Sequence, residues 1–574
     1  MKKVCVIGAG PSGLTTIKQL LDEGHTPVCY ERESEVGGVL NYREHKSGVY
    51  DNAWLTISNY LMCFSDYPPE GHRYHWHHSE YKAYLIRYAE KFGLQEFIHF
   101  HSEVIRMRRL DNGYEVTVKD LKKQIVHSDV FDAVAVCTGS NQHKKIPKIK
   151  GIEQFRGEVM HASEYKNHHP FKGKNVVCIG MGESSADITR EIGQVAENCY
   201  LAIRSYPYLI PRILNTSSSD GWTSRMFLVF THPSENLVYY TIGLFMMCCM
   251  FLQHVVTRMI LSKDALKQKI DAFNQPTSTK MLDLDTIYDS ESLKLIKSWT
   301  LLSGGKKFAT KNVTFVPYVL NGRIKANASG INYVQDDTVF FNDGRSVRAD
   351  ILVACTGYQD NFDYIEGFHI RDNNIRNLFM QAFPPDLPHC AFIGWARPIT
   401  GGQPACAEMA ARFFALLLSN KVSLPENIYD LIEQDKKFYA EDASNSQNLN
   451  TVVEWKRYME TLAELIGCKV KLWKYIFKPA LFTRLLYGSL IPSQYRLEGP
   501  HADYAMAKKT ILGLPITLPF TISIPISLAA ISYKLRFIQD DPLDHARFVK
   551  YDYFPDCTLQ DEDIERFRFV AKDS

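Results

Sequence analysis

The 13 cysteines are odd in number and scattered, and no C-x-x-C or C-x4-C occurs. Zinc ribbons and active-site disulfides are therefore not expected, and free thiols suggest a reducing compartment. No excess of one charge is present either. The 66 basic and 64 acidic residues leave +2, so nothing global points to nucleic acid or another polyanion. No signal peptide fits before a glycine motif that starts at Gly8. The N-x-S/T triplets at Asn215, Asn312 and Asn327 are accordingly not read as glycan sites. His72, His75, His77 and His78 crowd together, but Tyr and Trp interleave and no acid or Cys joins them at ligand spacing; no metal is expected. Composition is otherwise ordinary: 574 residues, 45% apolar and 23% charged, which excludes a wholly disordered chain and allows about two to four domains.

What is there begins at once. Val4-Cys5-Val6-Ile7 is a short apolar strand. Gly8-Ala9-Gly10-Pro11-Ser12-Gly13 follows, and then a helical stretch from Leu14 to Leu21. This is G-x-G-x-x-G between strand and helix, the context it needs to hold a pyrophosphate at a helix N-terminus. A second strand, Val28 to Tyr30, ends in Glu31, which suits a free ribose hydroxyl and repels a 2′-phosphate. Further on, Asn175 to Ile179 leads into Gly180-Met181-Gly182-Glu183-Ser184-Ser185-Ala186, read as a second such turn with Ala186 in the third small-residue place and Asp187 opening its helix. Its next strand, near Tyr200 to Ile203, ends in Arg204, a cation that suits a 2′-phosphate. Asp132 to Gly139 and Asp350 to Gly357 echo each other, with Asp, Cys, Thr and Gly at matching places. Each is expected to close one dinucleotide fold, so that an NADP fold is inserted in a FAD fold, with Asp343 to Tyr358 forming a hairpin back to the first. The pair suggests electrons passing from NADPH to FAD. No cysteine pair stands ready for a disulfide reductase, which leaves oxygen as the acceptor.

Between the glycine motifs lies Phe155-Arg156-Gly157-Glu158-Val159-Met160-His161-Ala162-Ser163-Glu164-Tyr165, or F-x-G-x-x-x-H-x-x-x-Y. It resembles the fingerprint of the flavin-containing monooxygenases. Glu31 to Gly38, Cys63-Phe64-Ser65-Asp66-Tyr67-Pro68, Cys355-Thr356-Gly357-Tyr358 and Gln494 to Pro500 are similar to further segments of that family, and only 213–300 and the tail after 501 match poorly. The ending Tyr165-Lys166, in place of Trp-Pro, favours the N- and S-oxygenating branch over Baeyer–Villiger relatives. His161 is expected to set linker geometry, not to move protons.

The resemblance implies an α/β protein with two Rossmann-like domains: 1–165 and 331–480 for FAD, 166–330 for NADP with an apolar helical insertion at about 213–300, and a C-terminal region 481–574. It implies FAD contacts at Gly8, Ala9, Gly10, Pro11, Ser12, Gly13, Glu31, Gly38, Val39 and Leu40, NADP(H) contacts at Gly180, Gly182, Ser184, Ser185, Asp187 and Arg204, and contacts to the bound cofactors at Thr56, Ile57, Val104, Thr356 and Gly357. Flavin, once reduced by NADPH, would form a C4a-hydroperoxide with O2 and pass oxygen to an amine or sulfide. Two departures bear on this. Leu40 stands where Trp is common. Thr56 stands where animal members carry the Asn that protects the oxygenated flavin; Thr56 or Asn59 is expected to take that catalytic role. The alternatives are a leaky NADPH oxidase making peroxide, a carbonyl-oxygenating or decarboxylating relative, and a non-catalytic nucleotide-binding scaffold.

Asn236 to Thr257 is uncharged with neutral histidine, and Thr510 to Tyr533 is uncharged but interrupted by Pro515, Pro519 and Pro525. A monotopic membrane contact is expected of such segments more than a span. The cytoplasm, or the cytosolic face of an internal membrane such as the endoplasmic reticulum, is the expected location.

Overall fold

The computed structural model describes residues 1–43, 48–71, 73–141, 143–214, 217–219, 223–226, 228, 237–260, 289–304, 309–370, 374–440, 451–516, 524, 527–528, 531 and 559–569. Two five-stranded parallel sheets organise it. In the first, the strand order is Cys390–Phe392, Ala133–Val136, Lys3–Ile7, Thr26–Tyr30, Ile98–His99. In the second it is Glu158–His161, Ile351–Ala354, Asn175–Ile179, Asn198–Ala202, Ile324–Asn327. The central strands are buried on both faces, which is why they read as continuous apolar runs.

The two sheets share one plan. A central strand runs into a glycine turn and a helix, Pro11–Asp22 in one and Glu183–Val195 in the other. A three-stranded antiparallel meander precedes the strand on the other side of the central one: Ser102–Leu110, Gly113–Asp120 and Val126–Phe131 in the first fold, Ile331–Gln335, Thr338–Phe341 and Ser346–Arg348 in the second. The expected hairpin at Asp343 is thus the last turn of this meander. The strands Glu158–His161 and Ile351–Ala354 lie outside the expected limits 166–330 and both belong to the second sheet.

The chain passes between the folds through two paired segments. His143–Lys144 and Tyr358–Gln359 form an antiparallel ladder. His161 locks it: its Nε2 meets the Gly357 carbonyl at 2.9 Å, its Nδ1 meets Ser163 Oγ at 2.9 Å, and Tyr358 packs edge-on against the ring. Burial lowers the His161 pKa, so the ring is a neutral brace at the hinge.

Helix Gln403–Leu418 closes the first fold against Pro11–Asp22. The apolar helix Leu237–Ile260 lies on the C-terminal helices, with Gly243 against Leu486 and Tyr487, and not on the second sheet. Among the described residues no helix is long and apolar enough to cross a membrane.

A buried ionic cluster ties two of the family-like segments together. Glu408 accepts from Ser65 N at 2.6 Å and Ser65 Oγ at 2.5 Å. Arg496 reaches Glu408 at 2.9 Å and Asp66 at 3.1 Å, and Lys18 lies 2.6 Å from Asp66. Burial opposes charge on Asp66, yet Arg496 and Lys18 hold its carboxyl below the usual range.

Candidate cofactor and active site

Both glycine turns adopt the same geometry. Gly8 and Gly180 each have φ +100°, the left-handed region that favours glycine. Gly8 N donates to Tyr30 O at 2.8 Å, and Gly180 N donates to Ala202 O at 2.9 Å. A Cβ on Gly8 would come within 2.9 Å of Cys137 O, and one on Gly180 within 2.8 Å of Cys355 O. The two echoing Cys-Thr-Gly segments therefore abut the two turns in the same way.

The third small residue differs between the copies. Gly13 admits no side chain, because a Cβ would fall 1.8 Å from Gly8 O. Leu14 N and Ala186 N make equivalent first helix bonds, to Gly10 O and Gly182 O. The counterpart of Gly13 is thus Ser185 and not Ala186, which corrects the reading of that turn. Ser185 fits because its Oγ donates to Gly180 O at 2.7 Å.

Around the first turn the backbone leaves a cradle. Gly37 and Gly38 have φ +122° and +60° and start the short 3-10 turn Gly38–Leu40. Gly38 lies over Gly10, where a Cβ would approach Gly10 Cα to 3.2 Å. Val39 is exposed and Leu40 buried. Pro11 opens the helix without an amide to satisfy, and the first turn holds no acid. Glu31, buried, accepts from Ala9 N at 2.6 Å and Glu33 N at 2.9 Å, so the expected ribose carboxylate is pinned to the turn itself. Gly394 abuts Ser12, and the Gln403 amide donates to the Gly394 carbonyl. Gly402 backs onto Leu61 O, where a Cβ would stand at 1.9 Å. These contacts bring Thr400, whose buried Oγ1 has no partner among the described residues, and the N-terminus of Gln403–Leu418 to the cradle. Sequence reading passed over Gly394, Thr400 and Gln403. Gly401-Gly402 before an apolar helix was the available signal.

The segment 55–62 separates its two candidates. Ile57 is buried and Thr56 half-buried, and the Thr56 hydroxyl makes no hydrogen bond among the described residues. Asn59 is fully buried, and its Oδ1 accepts from Tyr60 N at 3.0 Å and Tyr74 N at 3.2 Å. That carboxamide oxygen braces the loop. Val104 sits at a bulge of the first meander, partly buried beneath it. Thr356 Oγ1 donates to Lys145 O, and Gly357 has φ +78°, so both shape the hinge.

At the second turn a Cβ on Gly182 would meet nothing within 4 Å, and Ser184 is exposed, which leaves room for a phosphate. Glu183 takes Lys311 N at 2.8 Å, and burial pushes its carboxyl up. Asp187 faces inward. It accepts from Tyr50 Oη at 2.7 Å and Asn312 Nδ2 at 2.6 Å, with Arg212 at 3.3 Å. Beside it Glu191 accepts from Tyr165 Oη at 2.6 Å and Asn52 Nδ2 at 2.9 Å. Tyr50 and Asn52 come from the first fold, so this network fastens the second helix to it. Arg204 is exposed, holds no ion pair or hydrogen bond among the described residues, and lies over Gly330, whose Cβ would touch its Cγ at 3.1 Å. His75 is bonded to Leu55 O and Ser218 Oγ, and His77 caps the helix His78–Lys91.

Two Rossmann-like folds, one nested in the other, with open glycine cradles at both turns, define the class of two-dinucleotide flavoproteins. Within it the chain belongs to the flavin-binding monooxygenase-like family, whose model matches residues 1–515. It is 32% identical over 544 residues to a 4-hydroxybenzoate brominase (decarboxylating) of Pseudoalteromonas luteoviolacea, covering 92% of this chain and 96% of that one. It is 30% identical to mouse flavin-containing monooxygenase 5, covering 89% and 91%. Its fold matches the S-allyl-L-cysteine S-oxygenase of Allium sativum with a TM-score of 0.57 at 22% identity, over 89% of this chain and 99% of that one.

Proposed function

We propose that this chain is an NADPH- and O2-dependent monooxygenase that oxygenates a soft nucleophile, an amine nitrogen or a sulfide sulfur. The observation that carries the cofactor assignment is the contrast between equivalent strand ends: a carboxylate, Glu31, pinned at the first turn and a free guanidinium, Arg204, at the second. FAD, when bound in the first cradle, supplies the oxygen chemistry. The residues of the chain bind, orient and exclude water. Gly8 to Gly13 with Gly37-Gly38 receive the pyrophosphate. Thr56, with its free hydroxyl, and the buried Thr400 Oγ1 are left to offer hydrogen bonds to the bound flavin. Asp187, Tyr50 and Glu191 hold the nicotinamide-bearing fold in register with the first.

A second reading rests on the similarity to the brominase, which spans nearly the whole chain: oxidation of bromide and displacement of the carboxylate of a phenolic acid. The two are separated in one experiment. The purified protein, given NADPH and labelled O2, is offered a tertiary amine, a thioether, and 4-hydroxybenzoate with bromide. A labelled N- or S-oxide supports the first reading. A brominated, decarboxylated phenol supports the second. NADPH consumption matched by peroxide alone refutes both and leaves an oxidase with a threonine at 56.

We also propose that the protein lies at a membrane surface on the cytosolic side. Val238, Phe245 and Leu252 are exposed on one face of Leu237–Ile260, at 53%, 70% and 62%, opposite the buried Tyr240 and Met247. A stripe of this kind suits the interfacial plane of a bilayer. Vesicle flotation lost in Phe245→Glu supports it; equal flotation refutes it.

A further inference from the structure

The family match ends at residue 515, yet the chain returns to the second fold well beyond it. Residues 559–569 lie against the helix Ser290–Leu302. Lys294 Nζ meets Asp563 at 3.1 Å, and Arg566 meets Glu291 at 2.6 Å. The Trp299 indole donates to Phe567 O at 3.0 Å, Phe567 is 2% exposed in the core of the second fold, and Phe569 packs edge-on against Trp299. The last contact is the informative one. Ala328 N donates to Phe569 O at 3.0 Å.

Ala328 follows the edge strand Ile324–Asn327 at its carboxyl end, the end where dinucleotides bind in open parallel sheets. Asn327 O accepts from Ile203 N at 2.9 Å, which ties this strand end to the residue before Arg204. Asn327 Oδ1 also takes Ser329 N at 2.9 Å, and Gly330, at φ +79°, passes beneath the Arg204 side chain. Tyr206, two residues on, packs edge-on against Trp299, and its hydroxyl is pushed up to about 12 by burial, against the nearby charge of Arg568. A chain of direct contacts therefore runs from Phe569 through 328–330 to Arg204.

We infer that the C-terminal segment 559–569 is a strap that positions Arg204 for the 2′-phosphate of NADPH, so that coenzyme choice in this protein depends on residues outside the family region. The inference rests on the NADP reading of the second site. Arg204 is the group that touches phosphate; Phe567, Phe569 and Trp299 are positioning residues that act through the 328–330 turn. With the strap loosened, the turn loses a backbone bond and a packed ring, and Arg204 loses the fixed Gly330 backbone that its Cγ lies against, which raises the ordering cost of a phosphate contact.

The test compares NADPH with NADH in the full-length holoenzyme by steady-state flavin reduction. Arg204→Ala is the reference for loss of phosphate recognition. Asp563→Ala combined with Arg566→Ala loosens the strap at its two ion pairs to Ser290–Leu302 and leaves Trp299 covered. Phe569→Ala removes the ring against Trp299. The expected result is a rise of about tenfold in KM for NADPH in both strap variants, with kcat and the KM for NADH unchanged. A merely structural role would move both coenzymes together or lower the melting temperature without changing their ratio. An unchanged NADPH/NADH ratio in both strap variants, with the ratio collapsed in Arg204→Ala, overturns the strap and leaves the NADP site standing. No NADPH preference in the wild-type protein overturns the NADP reading itself.

Discussion

Gly13→Ala is the sharpest test of the first site. The added methyl would begin 1.8 Å from Gly8 O, against an ordinary contact of 3.4 Å or more. The obstacle is backbone, and Gly8 is itself held by Tyr30 O and by its contact with Cys137. Helix Pro11–Asp22 must therefore move off the turn. That helix is fixed on its other side by Gln403–Leu418, so the displacement falls on the turn amides that face the pyrophosphate. Overpacking of this kind costs about 1–3 kcal/mol. If most of it is taken from flavin binding, FAD affinity falls roughly 5- to 150-fold at 1.4 kcal/mol per decade. The assay is flavin content after desalting, followed by fluorescence titration of the apoprotein with FAD. Ser185→Ala is the internal comparison. It stands at the same place in the second turn, already carries a Cβ, and loses the 2.7 Å bond to Gly180 O and the longer 3.4 Å one to Thr189 Oγ1, together worth about 1–2 kcal/mol. FAD content should survive it. A Gly13→Ala protein that retains stoichiometric FAD at wild-type affinity would refute the reasoning.

Other expectations can be checked by standard means. Arg496→Met removes the cation between partly buried Asp66 and buried Glu408 and should destabilise by about 3–5 kcal/mol, read as a shifted denaturant midpoint; a shift under about 1 kcal/mol would count against a paired cluster. Tyr50→Phe removes the bond between the two folds at Asp187 Oδ2 and leaves that oxygen to Arg212, and should slow flavin reduction by NADPH more than it weakens FAD retention. Stability should also fall with acid. Burial, with His77 beside it, lowers His78 to about 4 from 6.5, and burial lowers His161 and His25 as well. These rings are neutral in the fold, and the unfolded chain takes up protons first. Their contribution is whole above pH 6.5 and falls away below it, for His78 as pH falls toward 4. His78→Asn should flatten the denaturant midpoint between pH 7 and 5, and an unchanged slope would contradict the assignment.

Much of the fold was legible because its signals are local. Val4 to Ile7, the two glycine turns and the Cys-Thr-Gly strand ends are each a few residues whose geometry is set by their own backbone needs. The placement of Glu31 and Arg204 at strand ends was legible for the same reason, since a strand end lies at a fixed distance from its turn. The inward role of Asp187 was not, because it is defined by Tyr50, Arg212 and Asn312, which come from three separate segments. The same holds for Asn59, whose carboxamide oxygen takes the amides of Tyr60 and Tyr74, the latter 15 residues on in the chain. Ser185 was misplaced by one position because a serine that bonds back to Gly180 passes, in sequence, for an ordinary helix residue. Cys63-Phe64-Ser65-Asp66 and Gln494 to Leu497 are both recognisable alone, but that they are two halves of one buried ion cluster is a tertiary fact.

The nesting of the sheets sets an order on synthesis. The second sheet draws its strands from Glu158 to Ala354 and is complete in sequence once Ala354 has emerged. The first begins at Lys3 but lacks its edge until Cys390–Phe392, and its closing helix until Leu418. On the ribosome the inner sheet has all its strands while the outer one still waits with an open edge, and the inner fold receives its last core ring, Phe567, only at the end. The paired crossings at 143–144 and 358–359 then bring that edge back to the strands made first.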